Sequence, residues 1–226
     1  MPAAMDIENA PDPYVGLPGL HLFDVMIVVA AEQNKYAAAR SLARDLTPLQ
    51  RAACDILPGA FQISLSARQL IRSGYLFSAE ILLRPLLERC AVLAYLLKNP
   101  ESGVNLWSRG WPHKSRPSIK FMISCIDEPA RTGDPNEYPP DYSVVSLLRQ
   151  RVDHLNTLVH ADPIGSVRNA FFSEQYGRAI QVAGSNFNMP EYCDEIAGFA
   201  AGLTSVLISE TAALFELPSR PEKSNG

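Results

Sequence analysis

The stretch FSAEILLRPLLERCAVLAYLLKNP, residues 77–100, decides the fold. From Ile81 to Leu97 it is apolar on nearly every side of a helical wheel, interrupted only by Arg84, Pro85, Glu88 and Arg89. A helix with no polar face belongs inside a bundle, wrapped by other helices. Asn99-Pro100 ends it, because proline turns the residue before it away from helical geometry. The chain is therefore expected to be all-α, built around this segment.

Working outward, helical periodicity runs from about Leu20 to Leu46 through Leu22, Met26, Val29, Ala30, Gln33 and Ala37. Thr47-Pro48-Leu49-Gln50 is a helix start: Thr47 caps, Pro48 suits the first helical position, and Gln50 completes a capping box. That second helix is expected to reach Ser73, with Pro58-Gly59 breaking or bending it and Gly74 stopping it. Short helices fit near 101–109 and 117–126. DEPARTGDPNEYPPD (127–141) reads as an exposed loop. A fourth long helix spans about Tyr142 to Ala161, and residues 167–184 allow a small β-hairpin. The last helix runs from near Pro190 to about Glu216. Its Gly198, Gly202, Ser205 and Ser209 form a small-residue stripe that would let another helix come close.

The reading is a helical bundle of about five long helices with one irregular insertion. The bundle domain covers 20–217. Residues 1–19, with four prolines and two glycines, read as a flexible arm, and 218–226 as a disordered tail.

Composition narrows the function. The 226 residues are 47% hydrophobic and 19% charged, a globular balance. A net charge of −4 excludes a global basic footprint for nucleic acid, so any anion site must be local. Cys54, Cys90, Cys125 and Cys193 make no CxxC and read as free thiols in a reducing compartment. No basic leader precedes an apolar run, and uncharged apolar runs such as Val25–Ala31 fall short of the ~20 residues of a membrane span. The expectation is a cytoplasmic protein without a membrane partner. There is no P-loop, dinucleotide fingerprint or nucleophile elbow. His113, His154 and His160 with scattered acids form no metal pattern, and neither a metal nor a cofactor is expected.

The chemistry-bearing residues cluster on the fourth helix. Val145, Leu148, Val152, Leu155 and Val159 make its apolar face. Beside that face Arg149, Asp153, Asn156 and His160 follow one line at spacings of four, three and four, so they are surface neighbours. Arg151 and His154 point away and are expected to be solvated. His160 is either a cap that meets the helix dipole or an acid/base at the edge of the core. An Arg149–Asp153 ion pair within the helix would account for part of the line without any function. On the third helix, Arg84 and Glu88 intrude on an apolar segment, and buried charges need partners. They form a structural ion pair, or they meet the His160 line across the bundle.

A local basic patch, WSRGWPHKSRPSIK (107–120), holds Arg109, Lys114, Arg116 and Lys120, no acids, and both tryptophans, Trp107 and Trp111. Bases can stack on indoles while cations hold phosphates. The alternative is a basic surface turn whose indoles dock on the bundle.

IRSGYLFSAEILLRPLLERCAVLAYLL (71–97), followed by LNTLVHAD (155–162), resembles the HEPN-like helical proteins. The likeness is to a bacterial branch with an R-x-x-x-E helix and a later N/S-x-x-x-H helix, over roughly residues 45–215. The resemblance implies a bundle that forms homodimers and binds RNA or a nucleotide. It also implies a metal-independent ribonuclease in a defence or toxin–antitoxin setting. Asn156 and His160 match the motif, and Leu155 stands where the family has its arginine. The cation would then come from Arg84, or from Arg149 of a second protomer, because within one helix Arg149 lies ~16 Å along the axis from His160. The expected roles are His160 as acid/base, Arg84 and Glu88 as phosphate holder and orienter, and Asn156 as positioner. Arg149 and the 107–120 patch would guide substrate. The other function class is a non-catalytic dimeric module that binds a protein partner.

Overall fold

The computed structural model describes residues 12, 14–42, 46–126, 144–160, 170–173, 177–180 and 189–215. Among them are seven helices: α1 (Pro18–Ser41), α2 (Pro48–Arg72), α3 (Leu76–Lys98), α4 (Pro100–Ser108), α5 (Ile119–Ile123), α6 (Val144–Val159) and α7 (Pro190–Phe215). A two-stranded antiparallel ribbon pairs β1 (Ala170–Ser173) with β2 (Gly177–Ile180). The expected 127–141 loop, the first residues of the arm and the tail from 218 lie outside the described residues.

α3 is the hub. It packs against α2, α4, α5, α6 and α7, which is why a segment apolar on every side is stable there. Leu83, Leu86, Leu87, Leu93 and Leu96 are all but inaccessible to solvent. α1, α2 and α7 close one side of the bundle, and α5 and α6 cover the other.

The local signals explain several boundaries. Gln50 N–H donates to Thr47 Oγ1 at 3.2 Å while Thr47 N–H donates to Gln50 Oε1 at 3.0 Å, a complete capping box. The same Gln50 amide donates to Leu214 O, tying the start of α2 to the end of α7. α2 stops at Gly74, which takes φ +75°. Gly74 N–H bonds Ile71 O and Tyr75 N–H bonds Leu70 O, the paired bonds of a Schellman end.

Two expectations need correction. Of the break or bend expected at Pro58-Gly59, the break does not occur: α2 runs unbroken to Arg72. The lost hydrogen bond is offset by packing, and the missing side chain at Gly59 admits Arg89: a Cβ there would lie 3.2 Å from Arg89 Nε. The second correction concerns the end of the N-terminal arm, which docks on the bundle. Tyr14 is buried and α1 already begins at Pro18. Arg68 Nη2 meets Asp12 Oδ2 at 2.5 Å and its Nε meets Asp24 Oδ1 at 2.5 Å. Burial alone would lower the Arg68 pKa, but the bonds to Asp24 and Asp12 outweigh it and raise it.

α7 is long and apolar enough to cross a membrane by length and composition, and 56% of its apolar window is buried inside the fold. It also supplies polar core contacts. Ser64 and Thr204 hydroxyls lie 3.4 Å apart between α2 and α7. They border a cavity of about 20 Å³ that Gln33 and Thr211 also line, room for about one water. The four thiols are free, and burial raises the pKa of each. They are therefore poor nucleophiles at neutral pH.

Candidate functional site

The polar residues of α3 and α6 meet in one seam. Glu80, Arg84 and Glu88 follow each other at four-residue spacing, so they share one face of α3. That face looks onto α6. Arg84 Nε donates to Asn156 Oδ1 at 2.8 Å. Arg84 Nη1 lies 3.0 Å from Glu88 Oε1 as an ion pair. It is off the line that a hydrogen bond needs, and it is buried without an aligned acceptor among the described residues. The Arg84 side chain is 14% exposed and the Glu88 side chain 43%, so Glu88 is the partner nearer to solvent.

One turn earlier on α3, Glu80 is almost fully buried. Its Oε1 lies 2.8 Å from His154 Nε2, and its Oε2 accepts the Tyr192 hydroxyl of α7. A buried carboxyl group is tolerable only when hydrogen-bonded, and here its partners come from two other helices. His154, expected to be solvated, is therefore a pin between α6 and α3. Arg151, also expected in solvent, pairs with Glu195 of α7 and lies 5.3 Å over the Phe199 ring. The wheel misplaced both residues because α6 packs on α3 and α5 while its long Arg151 side chain reaches across to α7. The signal available in the sequence was Glu80 itself, an acid inside an otherwise apolar run.

The rest of the α6 line is exposed. Asp153 pairs with Lys120 of α5 at 2.7 Å, not with Arg149. Among the described residues, Arg149 Nε reaches Lys120 O at 3.4 Å. His160 ends α6 with its backbone N–H on Asn156 O at 3.1 Å, and the residue is exposed. It thus stands one turn beyond the Arg84–Asn156 bond.

The basic patch divides into docked indoles and exposed cations. Trp107 Nε1 donates to Asp55 Oδ2 at 3.2 Å. Trp107 and Trp111 pack edge-to-face with centroids 5.7 Å apart, and Trp111 packs on Tyr95 at 6.0 Å. Gly110 and Trp111 both have positive φ, +79° and +52°, and this turn folds the second indole back onto α3. The indoles are therefore packed on the bundle, and each keeps part of its surface in solvent. Arg109, Lys114 and Arg116 are exposed. Among the described residues no group of three or more His, Cys, Asp or Glu is placed to hold a metal ion.

No family model matches the chain, and no curated protein or solved structure matches it either. The class that fold and site define is thus an all-α bundle with a buried, hydrogen-bonded polar seam between α3 and α6.

Proposed function

We propose that the chain is a HEPN-like cytoplasmic protein that binds RNA or a nucleotide at the outer end of the α3–α6 seam. In this reading it cleaves the phosphodiester there without a metal ion, in a bacterial defence or toxin–antitoxin setting. One observation carries the reading: the Arg84–Asn156 bond brings a guanidinium to the helical turn that precedes His160. Arg84 thereby supplies the cation that Leu155 does not. A guanidinium suits a phosphate through its fork of donors, and an imidazole transfers protons near neutral pH. His160 takes the 2′-hydroxyl proton, the oxygen attacks phosphorus, and the bond to the 5′-oxygen breaks; the leaving oxygen takes a proton from water and a 2′,3′-cyclic phosphate remains. Glu88, the more exposed partner of Arg84, is displaced as the phosphate arrives. Arg109, Lys114 and Arg116 steer the strand by charge.

A second reading, a non-catalytic helical module that binds a protein partner, is favoured by a different observation. Arg84 is already held by Asn156 and Glu88, and both indoles are packed on the bundle. Incubation of the full chain with labelled single-stranded RNA in chelator separates the two. The ribonuclease reading expects cleavage that His160→Ala abolishes while the melting curve stays put, because His160 is exposed. Absence of both binding and cleavage at low salt leaves the module reading.

A further inference from the structure

We infer that the end of the N-terminal arm is a hinged strap, and that its docking on the start of α7 sets how firmly α6 sits on α3. The inference goes beyond the RNA reading and does not depend on it. Three consecutive residues in the first turn of α7 reach in three directions. The Tyr192 hydroxyl donates to Glu80 of α3. Cys193 is buried, in the electrostatic reach of Tyr14, Asp12 and Arg68. Asp194 accepts the Gly19 N–H at the start of α1. The turn is thus gripped by the strap on one side and by the polar seam on the other. Glu80 passes the grip on to His154 of α6.

The strap has the parts of a reversible latch. Tyr14 is its plug, only 3% exposed. Asp12 is its bolt, taking Arg68 Nη2 at 2.5 Å and the Tyr14 N–H at 3.0 Å. Between the plug and α1 the chain is thinly held. Val15 is 79% exposed, and Gly16 takes φ +97° with open space around it. A left-handed glycine in open space turns without a side-chain clash, as a hinge must. Opening leaves no bare charge behind. Asp24 still accepts from Arg68 Nε at 2.5 Å and from Nη2 at 3.1 Å. A buried guanidinium with no second carboxylate would hold the strap shut; this one is paired in both states.

Lifting the strap frees one side of the α7 turn, and the Tyr192 hydroxyl loses its fixed aim. Glu80 is then short of a donor. A buried carboxylate in that condition draws in water, and the water enters by parting α6 from α3. The helix that carries Asn156 and His160 is therefore seated from the far end of the chain.

Mass spectrometry of the full chain reads both ends of this relay, through iodoacetamide labelling of each cysteine and hydrogen exchange of each helix. In Asp12→Ala, Cys193 should be alkylated about tenfold faster than in the wild type, and α6 amides should exchange about threefold faster or more. Cys90, buried where α3 meets Leu203 O of α7, reports global opening and should keep its wild-type rate. Tyr192→Phe removes only the hydroxyl. In that background Asp12→Ala should still speed Cys193 but have no further effect on α6. Three results would overturn the proposal: a Cys193 that stays slow in Asp12→Ala, a fast Cys193 with unchanged α6 exchange, or Cys90 speeding up in step with Cys193. An Asp12→Ala effect on α6 that is the same with and without the Tyr192 hydroxyl would overturn the relay as well.

Discussion

Glu80 and His154 lie 74 positions apart in sequence and 2.8 Å apart in space, and their contact fixes α6 to the hub helix. Replacing the two residues should have unequal effects. His154→Ala removes a hydrogen-bond partner from a carboxyl group that is only 3% exposed, and should cost about 2–4 kcal/mol. Glu80→Met replaces the buried acid by an apolar side chain of similar size and should cost less, about 1–2 kcal/mol. Urea unfolding at neutral pH measures both, and equal costs would contradict the argument.

The Arg84–Asn156 bond should show coupling in a double-mutant cycle. Arg84→Met and Asn156→Ala each leave the other side chain without its partner at a half-buried position. The interaction free energy should be about 1–2 kcal/mol. Additive losses would mean that the bond holds nothing in place.

Gly19→Ala should destabilise the fold by about 1–3 kcal/mol. Its Cβ would stand 2.5 Å from Asp194 O, a backbone atom that cannot swing aside. Asp194 also caps α1 from α7, accepting Gly19 N–H at 2.7 Å, where Leu17 at the cap position has no side-chain oxygen to offer. Asp194→Ala should therefore cost about 1 kcal/mol. Thermal melts of the two variants check the order.

Alkali should loosen the docked end of the N-terminal arm. Burial pushes the Cys193 thiol from 9.0 up to about 12 and the Tyr14 phenol from 10.0 up to about 12. The folded state then binds more protons than the unfolded state between these values, so this contribution is whole below pH 9 and is lost as pH rises toward 12. Stability should fall across that window, and Cys193→Ala should flatten the fall. A flat profile in the wild type would contradict the burial of both groups.

Much of the bundle was legible because its signals are local. The capping box at Thr47, the glycine stop at Gly74 and the all-apolar run of α3 each act through neighbours in sequence. At Pro58-Gly59 a break was one of two local outcomes and does not occur; the contact of Gly59 with Arg89, from another helix, is long-range and had no local signal. The site was legible in part. Spacing placed Arg84 and Asn156 on faces that turn out to meet. It could not show that His154 reaches Glu80, because a wheel built on apolar positions does not count a polar side chain that turns inward to meet a buried acid on α3.

The central claim is that a phosphate-bearing ligand meets His160 beside Arg84. The chain has four histidines, few enough to assign each imidazole Cε1 proton by substitution. A titration with a single-stranded oligoribonucleotide at low salt should shift the His160 resonance in a saturable way and leave exposed His21 on α1 unmoved. Arg84→Gln should weaken the response. Binding that leaves His160 unmoved, or no binding at all, would contradict the account.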